Sequence, residues 1–333
     1  MARHLLPVLL VCCAGAAPSS WAAPTATTTT PDNPAAAPTL VISFSEAARL
    51  ALIDESAAPA VLTALLAHEQ ACRSSNADDA TRCRIRALLG LLYADDDGAK
   101  RSALDLYERT GTVAGLLPEV DFDGAYRGQL HLVPRLPVGE NAVHLRYASA
   151  ALLDFDDFFA RLGGPVRFRH RPLGLRFFES VKRRTPSAFA VDWTVSYNVR
   201  GSLFRNVDAT RETFFHEVFH LNDQAHGNWS HTALKGIYDG IVARCGMKKA
   251  CLTPYAPDSI VVRGGTYYAF MPDNGVGEYG ADTAKRYYVE QRAVLHGQKV
   301  KHPFKCGPPE NAQAWRLVAD EFFGGIDHVP PCR

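Results

Sequence analysis

Two histidines four residues apart, His216 and His220, with Glu217 beside the first, constrain this 333-residue chain more than any other feature. On an α-helix such a pair lies about 40° apart around the axis and one turn along it, so both imidazoles can approach one metal ion. A glutamate next to the first imidazole then stands where it can take a proton from water held at that ion. Thr213, Phe214, Phe215 and Leu221 around the motif are compatible with a helix, and Asp208 or Thr210 is a suitable N-cap. A fold of this chain must therefore present a helix here and bring a third ligand to it.

Two residues offer that third ligand. Glu278 begins Glu278-Tyr279-Gly280-Ala281-Asp282, a spacing that puts two carboxylates on one helical face. The first can bind metal while the second accepts the free ring N–H of a ligand histidine, fixing its tautomer. The segment from Thr283 to Leu295 lacks Gly and Pro, and Gly297 is a natural stop. Gly280 costs about 1 kcal/mol within a helix, yet its missing side chain permits a close approach to a partner helix. The alternative metal ligand is His226, which completes HExxHxxxxxH if the chain turns sharply at Asn222-Asp223. If the helix runs on to Gly227 instead, His226 faces away from His220. Both candidates stand at this point.

HExxH followed further along by E-[FY]-x-A-D resembles the signature of gluzincin zinc metallopeptidases of the HtpX and CaaX-prenyl-protease type. The matching positions are His216, Glu217, His220, Glu278, Tyr279, Ala281 and Asp282. The resemblance implies zinc held by His216, His220 and Glu278, with Glu217 as general base. It also implies Asp282 as the partner of a ligand histidine, His216 above all. It covers residues 216–282 alone, and those enzymes are mostly membrane-embedded, unlike this chain. Shared ligands do not establish shared substrates.

Met1 to Ala23 reads as a secretory signal peptide: Arg3 and His4, an apolar run to Ala16, and Ser20-Trp21-Ala22 as a cleavage site. Cys12 and Cys13 lie in that run without a good lipoprotein cleavage box before them. Residues 24–40, rich in Ala, Thr and Pro, form a leader that cannot bury a core and is expected to be disordered. No later stretch has the roughly 20 apolar residues of a transmembrane helix. Six cysteines follow the signal, an even number that favours disulfides in an exported chain, periplasmic or extracellular. Sequence neighbours suggest Cys72–Cys83, Cys245–Cys251 and Cys306–Cys332, and the lack of a CxxC argues against thiolate zinc. A net charge of +1 gives no global attraction to nucleic acid. A basic stretch, Arg167, Arg169, Arg171, Arg176 and Lys182 to Arg184, reads as a solvated face or as a site for an acidic ligand.

Helical spacing of Ala and Leu predicts helices over Ser45–His68, Ala80–Tyr93 and Ala99–Leu117, making 45–117 an N-terminal helical subdomain. Asp95-Asp96-Asp97-Gly98 lacks the ligand spacing of a calcium loop and reads as a turn with a helix cap. Residues 118–147 read as strands and turns, and Ser149–Leu162 as a helix ended by Gly163-Gly164-Pro165. Strict alternation from Val191 to Arg200 predicts a half-buried strand just before the histidine helix. Ile260–Phe270 reads as a hairpin and Ala312–Phe323 as a terminal helix. The expected class is α+β. The resemblance implies that 118–333 is a zincin-like catalytic domain: a mixed sheet, the HExxH helix and the Glu278 helix. It further implies an exported zinc metalloendopeptidase, a hydrolase acting on a peptide or protein substrate. Two alternatives are a non-catalytic zinc-binding cell-envelope protein and a zinc hydrolase of non-peptide amides. Tyr267, Tyr268 and His231 are candidate oxyanion donors, each also explicable as plain structure.

Overall fold

The computed structural model describes residues 47–49, 71–73, 76–123, 128–262, 264–271 and 275–332. The signal peptide, the leader and nearly all of the Ser45–His68 helix lie outside the described residues. Helices α1 (Ala77–Leu92) and α2 (Asp97–Thr110) come first. Asn76 caps α1 by accepting from Asp78 N, and Asp96 caps α2 by accepting from Gly98 N and Ala99 N, so the acidic run is a helix cap. The second carboxylate oxygen of Asp96 also accepts from Gly139 N at 2.6 Å.

The helical pattern expected to reach Leu117 stops at Thr110. Gly111 ends it at φ 72°, and Val113–Leu116 becomes strand β1. Strands β2 (Val120–Asp123) and β3 (Gln129–Pro134) follow, then helix α3 (Val143–Leu162), which begins six residues before the expected Ser149. A 3-10 turn at Gly139–Ala142 feeds directly into α3, and His144, Leu145, Ala148 and Leu152 continue the face buried further on by Phe155. Strands β4 (Gly174–Ser180), β5 (Ala188–Val191) and β6 (Thr194–Asn198) complete a curled mixed sheet in the order β2-β3-β4-β6-β5. Along one edge of β4 lie β1, parallel to its first half, and β3, antiparallel to its end. Along the other edge lies β6, parallel.

The alternating stretch from Val191 differs from expectation in two ways. Asp192 and Trp193 both have positive φ, 49° and 55°, so the chain reverses there, and Val191 belongs to β5 while Thr194 opens β6. All five residues of β6 are buried, polar face included. Val195 and Tyr197 join the main core. The opposite side of the sheet carries a second cluster of Leu117, Leu130, Leu132 and Phe178.

Helices α4 (Val207–Ala225), α5 (Trp229–Ala233), α6 (Lys235–Cys245), α7 (Lys249–Leu252), α8 (Gly275–Leu295) and α9 (Pro309–Phe322) make up the rest. The Ile260–Phe270 segment contains one antiparallel bridge, Val261 to Tyr267, and then a 3-10 turn at Tyr268–Phe270. Aromatic side chains join α3, α4 and α8: Phe215 stacks on Tyr288 at 4.3 Å, and Phe155 and Phe158 meet both rings edge-on. Asp154 on α3 binds Arg292 and Tyr288 of α8 and lies 3.7 Å from Arg211 of α4, so one carboxylate ties three helices. The main apolar cluster also includes Leu88 and Leu89 of α1 and Leu106 of α2, and so extends across residue 117. All three disulfides pair as expected from sequence neighbours, with Cα atoms 5.3–5.4 Å apart. Among the described residues no helix is long and apolar enough to cross a membrane.

Candidate metal centre

Helix α4 starts earlier than Asp208 or Thr210 would set it. Asn206 is the N-cap, accepting from Ala209 N at 2.8 Å. The helix then runs without a break to Ala225, carrying His216, Glu217 and His220 through the middle of the core, where Phe214, Phe215, Val218 and Phe219 are all fully buried. Helix α8 crosses it at Gly280. A Cβ on that residue would sit 2.4 Å from Ser230 Oγ of α5 and 3.3 Å from a ring carbon of Phe219 of α4, so α8 lies this close to both helices because the position is glycine. Two residues to either side of this contact, and so about one turn from each other, α8 presents Glu278 and Asp282.

The approach brings three donors together. His216 Nε2 lies 2.9 Å from Glu278 Oε2, His220 Nε2 lies 3.2 Å from His216 Nε2, and His220 Nε2 lies 3.5 Å from Glu278 Oε2. Tetrahedral ligands about 2.1 Å from a zinc ion stand roughly 3.4 Å from one another, so little movement separates this arrangement from a coordination shell. Asp282 Oδ1 sits 3.0 Å from His216 Nδ1, on the far side of the ring, which leaves Nε2 for the shared centre. Two imidazoles and one carboxylate form a donor set that can hold a divalent metal ion, and among the described residues this is the one such group.

Charge in the cluster favours a cation at its middle. Burial alone lowers the pKa of His216, but the Asp282 and Glu278 carboxylates outweigh it and hold the ring at about 10. His220 is raised against the same burial penalty, chiefly by Glu278, with Glu217 also contributing. Glu278 and Asp282 are held low despite burial, Glu278 by the two imidazoles and Asp282 by Lys285 and His216. Without metal the two carboxylates favour a proton on His216, and His220 shifts in the same direction. A metal ion would take the place of such protons.

Glu217 is buried next to the cluster, 8% exposed, and its charge is felt at His220. His226 is not brought to the site. Because α4 continues to Ala225, its ring turns toward α9, where Nδ1 lies 2.6 Å from Glu321 Oε1 and the ring packs on Phe322. Asp223 accepts from Ser230 N at 2.6 Å, holding the turn into α5. Of the candidate oxyanion donors, Tyr268 has its ring 6.2 Å from that of His216. Tyr267 OH meets Thr253 Oγ1 at 3.1 Å, and His231 is exposed on α5. The basic stretch is dispersed: Arg167 pairs with Glu321, Arg171 with Asp156, and the Arg169 guanidinium lies 3.8 Å over the Trp193 ring.

Sequence reasoning passed over Lys285 and Asp258. Lys285 Nζ donates to Asp282 Oδ1 at 2.9 Å and also to Asp258 Oδ2. Its place three residues after Asp282 on one helical face was a usable signal. Nothing in the sequence pointed to Asp258, which arrives from a loop. Comparison of the chain with protein-family models, with curated proteins and with solved structures returns no match.

Proposed function

We propose that this chain is an exported zinc metallopeptidase of gluzincin type, with a zincin-like arrangement of sheet, α4 and α8. The observation that carries the reading is the convergence of His216, His220 and Glu278 from two helices, with Glu217 buried beside them. Three protein ligands leave room for water in a fourth position, as hydrolytic zinc sites require. The rival non-catalytic site would be closed by a fourth side chain, and both nearby candidates, Asp223 and His226, are engaged elsewhere. The disulfides favour an oxidising compartment.

Zinc held by His216, His220 and Glu278 would polarise the scissile carbonyl and make water acidic enough to ionise near neutral pH. Glu217 takes the proton of the attacking water as its oxygen bonds to the carbonyl carbon. The same carboxylic acid then delivers that proton to the amide nitrogen as the C–N bond breaks. Asp282 holds His216 in the tautomer that turns Nε2 inward. Strand β5 is paired only through β6 among the described residues and lies against α4, so its outer edge is available to an extended peptide.

Glu217→Gln separates the roles. The variant is expected to retain one zinc per chain by elemental analysis and to lose about 10²-fold to 10⁴-fold of its cleavage rate on a peptide library read by mass spectrometry. Cleavage at the parent rate would remove Glu217 as the base. A parent chain that binds no zinc would end the proposal.

A further inference from the structure

Lys285 is the one lysine of the described residues placed inside the protein, with its side chain 9% exposed. An ammonium taken out of water is costly unless its charge is met by partners of good geometry. Burial pulls its pKa down, but Asp282 and Asp258 more than offset that, so it remains charged.

The arrangement of its contacts is specific. Lys285 Nζ and His216 Nδ1 both donate to the same oxygen of Asp282, Oδ1, at 2.9 Å and 3.0 Å. The other oxygen, Oδ2, is buried with no hydrogen-bond partner. A carboxylate that served His216 alone could rotate and offer either oxygen. Here the ammonium pins one of them in place. Lys285 is itself held from the outside by Asp258, whose Oδ1 accepts from the backbone N–H groups of Ser259 and Ile260. A continuous chain of contacts thus leads from the 258–260 loop through Lys285 and Asp282 to the ligand imidazole.

We propose that Lys285 is a positioning residue for the metal centre: it fixes the Asp282 carboxylate so that Oδ1 faces His216 Nδ1, and thereby aims His216 Nε2 at the ion. This rests on the reading of His216, His220 and Glu278 as metal ligands. A lysine that merely stabilised the fold would alter stability and leave affinity for the ion unchanged. A positioning lysine alters affinity, and only while Asp282 is there to transmit the effect.

Zinc affinity of the full chain, measured by competition with a chromophoric chelator, tests this in the parent, Asp282→Ala, Lys285→Met and the double variant, with near-ultraviolet circular dichroism as the check on folding. Each single variant is expected to bind zinc about 10-fold to 100-fold more weakly, the range seen when outer partners of metal-bound histidines are removed. The double variant is expected to bind no more weakly than Asp282→Ala. Parent-like affinity in folded Lys285→Met, or losses that multiply in the double variant, would overturn the proposal. If Lys285→Met does not fold, Asp258→Asn takes its place. It keeps both inner contacts and loosens the ammonium, so a loss of about threefold or more is expected, and parent-like binding overturns the proposal. A parent that takes up zinc while the folded Lys285→Met or Asp258→Asn variant matches it leaves the metal centre standing and removes only Lys285 from it.

Discussion

Gly280 shows how a single hydrogen in place of a side chain decides the centre. Replacing it with alanine would gain about 1 kcal/mol of helix propensity on an isolated helix. Here the added Cβ meets Ser230 Oγ at 2.4 Å, Ser230 Cβ at 3.2 Å and a Phe219 ring carbon at 3.3 Å. The hydroxyl can swing aside; the Cβ and the ring cannot without moving α5 or α4. Overpacking of this kind costs about 1–3 kcal/mol, so Gly280→Ala should lower stability by about 1 kcal/mol net in urea titrations. It should also weaken zinc binding, because α8 must step back and take Glu278 with it. A variant more stable than the parent would mean that helix contact does not require glycine here. At this scale much of the site was legible beforehand, since ligands four apart on a helix and a carboxylate pair four apart on another are periodic signals. Asp258 was less legible, because it comes from a loop whose path is set by packing rather than by period.

Among the elements, regular pattern was a good guide to type and a poor one to limits. The alternation from Val191 to Arg200 correctly announced extended chain, but it carries through a turn. Asp192 and Trp193 adopt positive φ; Asp tolerates it, but a bulky Trp beside it gives no such signal. The polar residues of β6 gave no warning of burial; Asn198 is met there by Pro186 O, to which its amide donates, and by Arg200 N, from which it accepts. The cysteines were read correctly because proximity in sequence and in space coincide for all three pairs. Cys306–Cys332 spans 26 residues, joining the 3-10 turn at Phe304–Cys306 to the chain after α9. Closing a loop of that length restricts the unfolded chain by about 3.5 kcal/mol in the entropy model. Cys306→Ala with Cys332→Ala should therefore lose about that much in urea unfolding. Its zinc affinity should stay near that of the parent, since the bond touches none of the metal ligands. A loss of zinc as large as the loss of stability would show that the C-terminal segment reaches the centre.

For the whole molecule, the buried centre links folding to both protons and metal. In the metal-free chain His216 has its pKa raised from 6.5 to about 10, and His220 moves the same way. A raised pKa means that the folded state binds the extra proton. The resulting stability is complete below about pH 6.5 and is lost as pH climbs toward 10. Glu278 and Asp282 are lowered, so their contribution is complete above the ordinary carboxylate range and is lost as pH falls below it. The metal-free protein should consequently be most stable near pH 5 to 6.5 and lose about 2 kcal/mol by pH 8.5 through His216 alone, at 1.36 kcal/mol per pH unit when fully expressed. Zinc reverses the trend, because it binds neutral imidazoles and its affinity rises as they shed protons. Thermal midpoints at pH 6, 7.5 and 8.5 should fall in the presence of a chelator. The gap opened by saturating zinc should widen over the same interval. Glu278→Gln, which removes one carboxylate holding the imidazoles charged, should flatten the chelator series and isolate the centre from other titrating groups. A chelator series that rises from pH 6 to 8.5 in the parent would mean that the folded, metal-free chain keeps these histidines neutral, and that the cation the cluster is built around is not a proton.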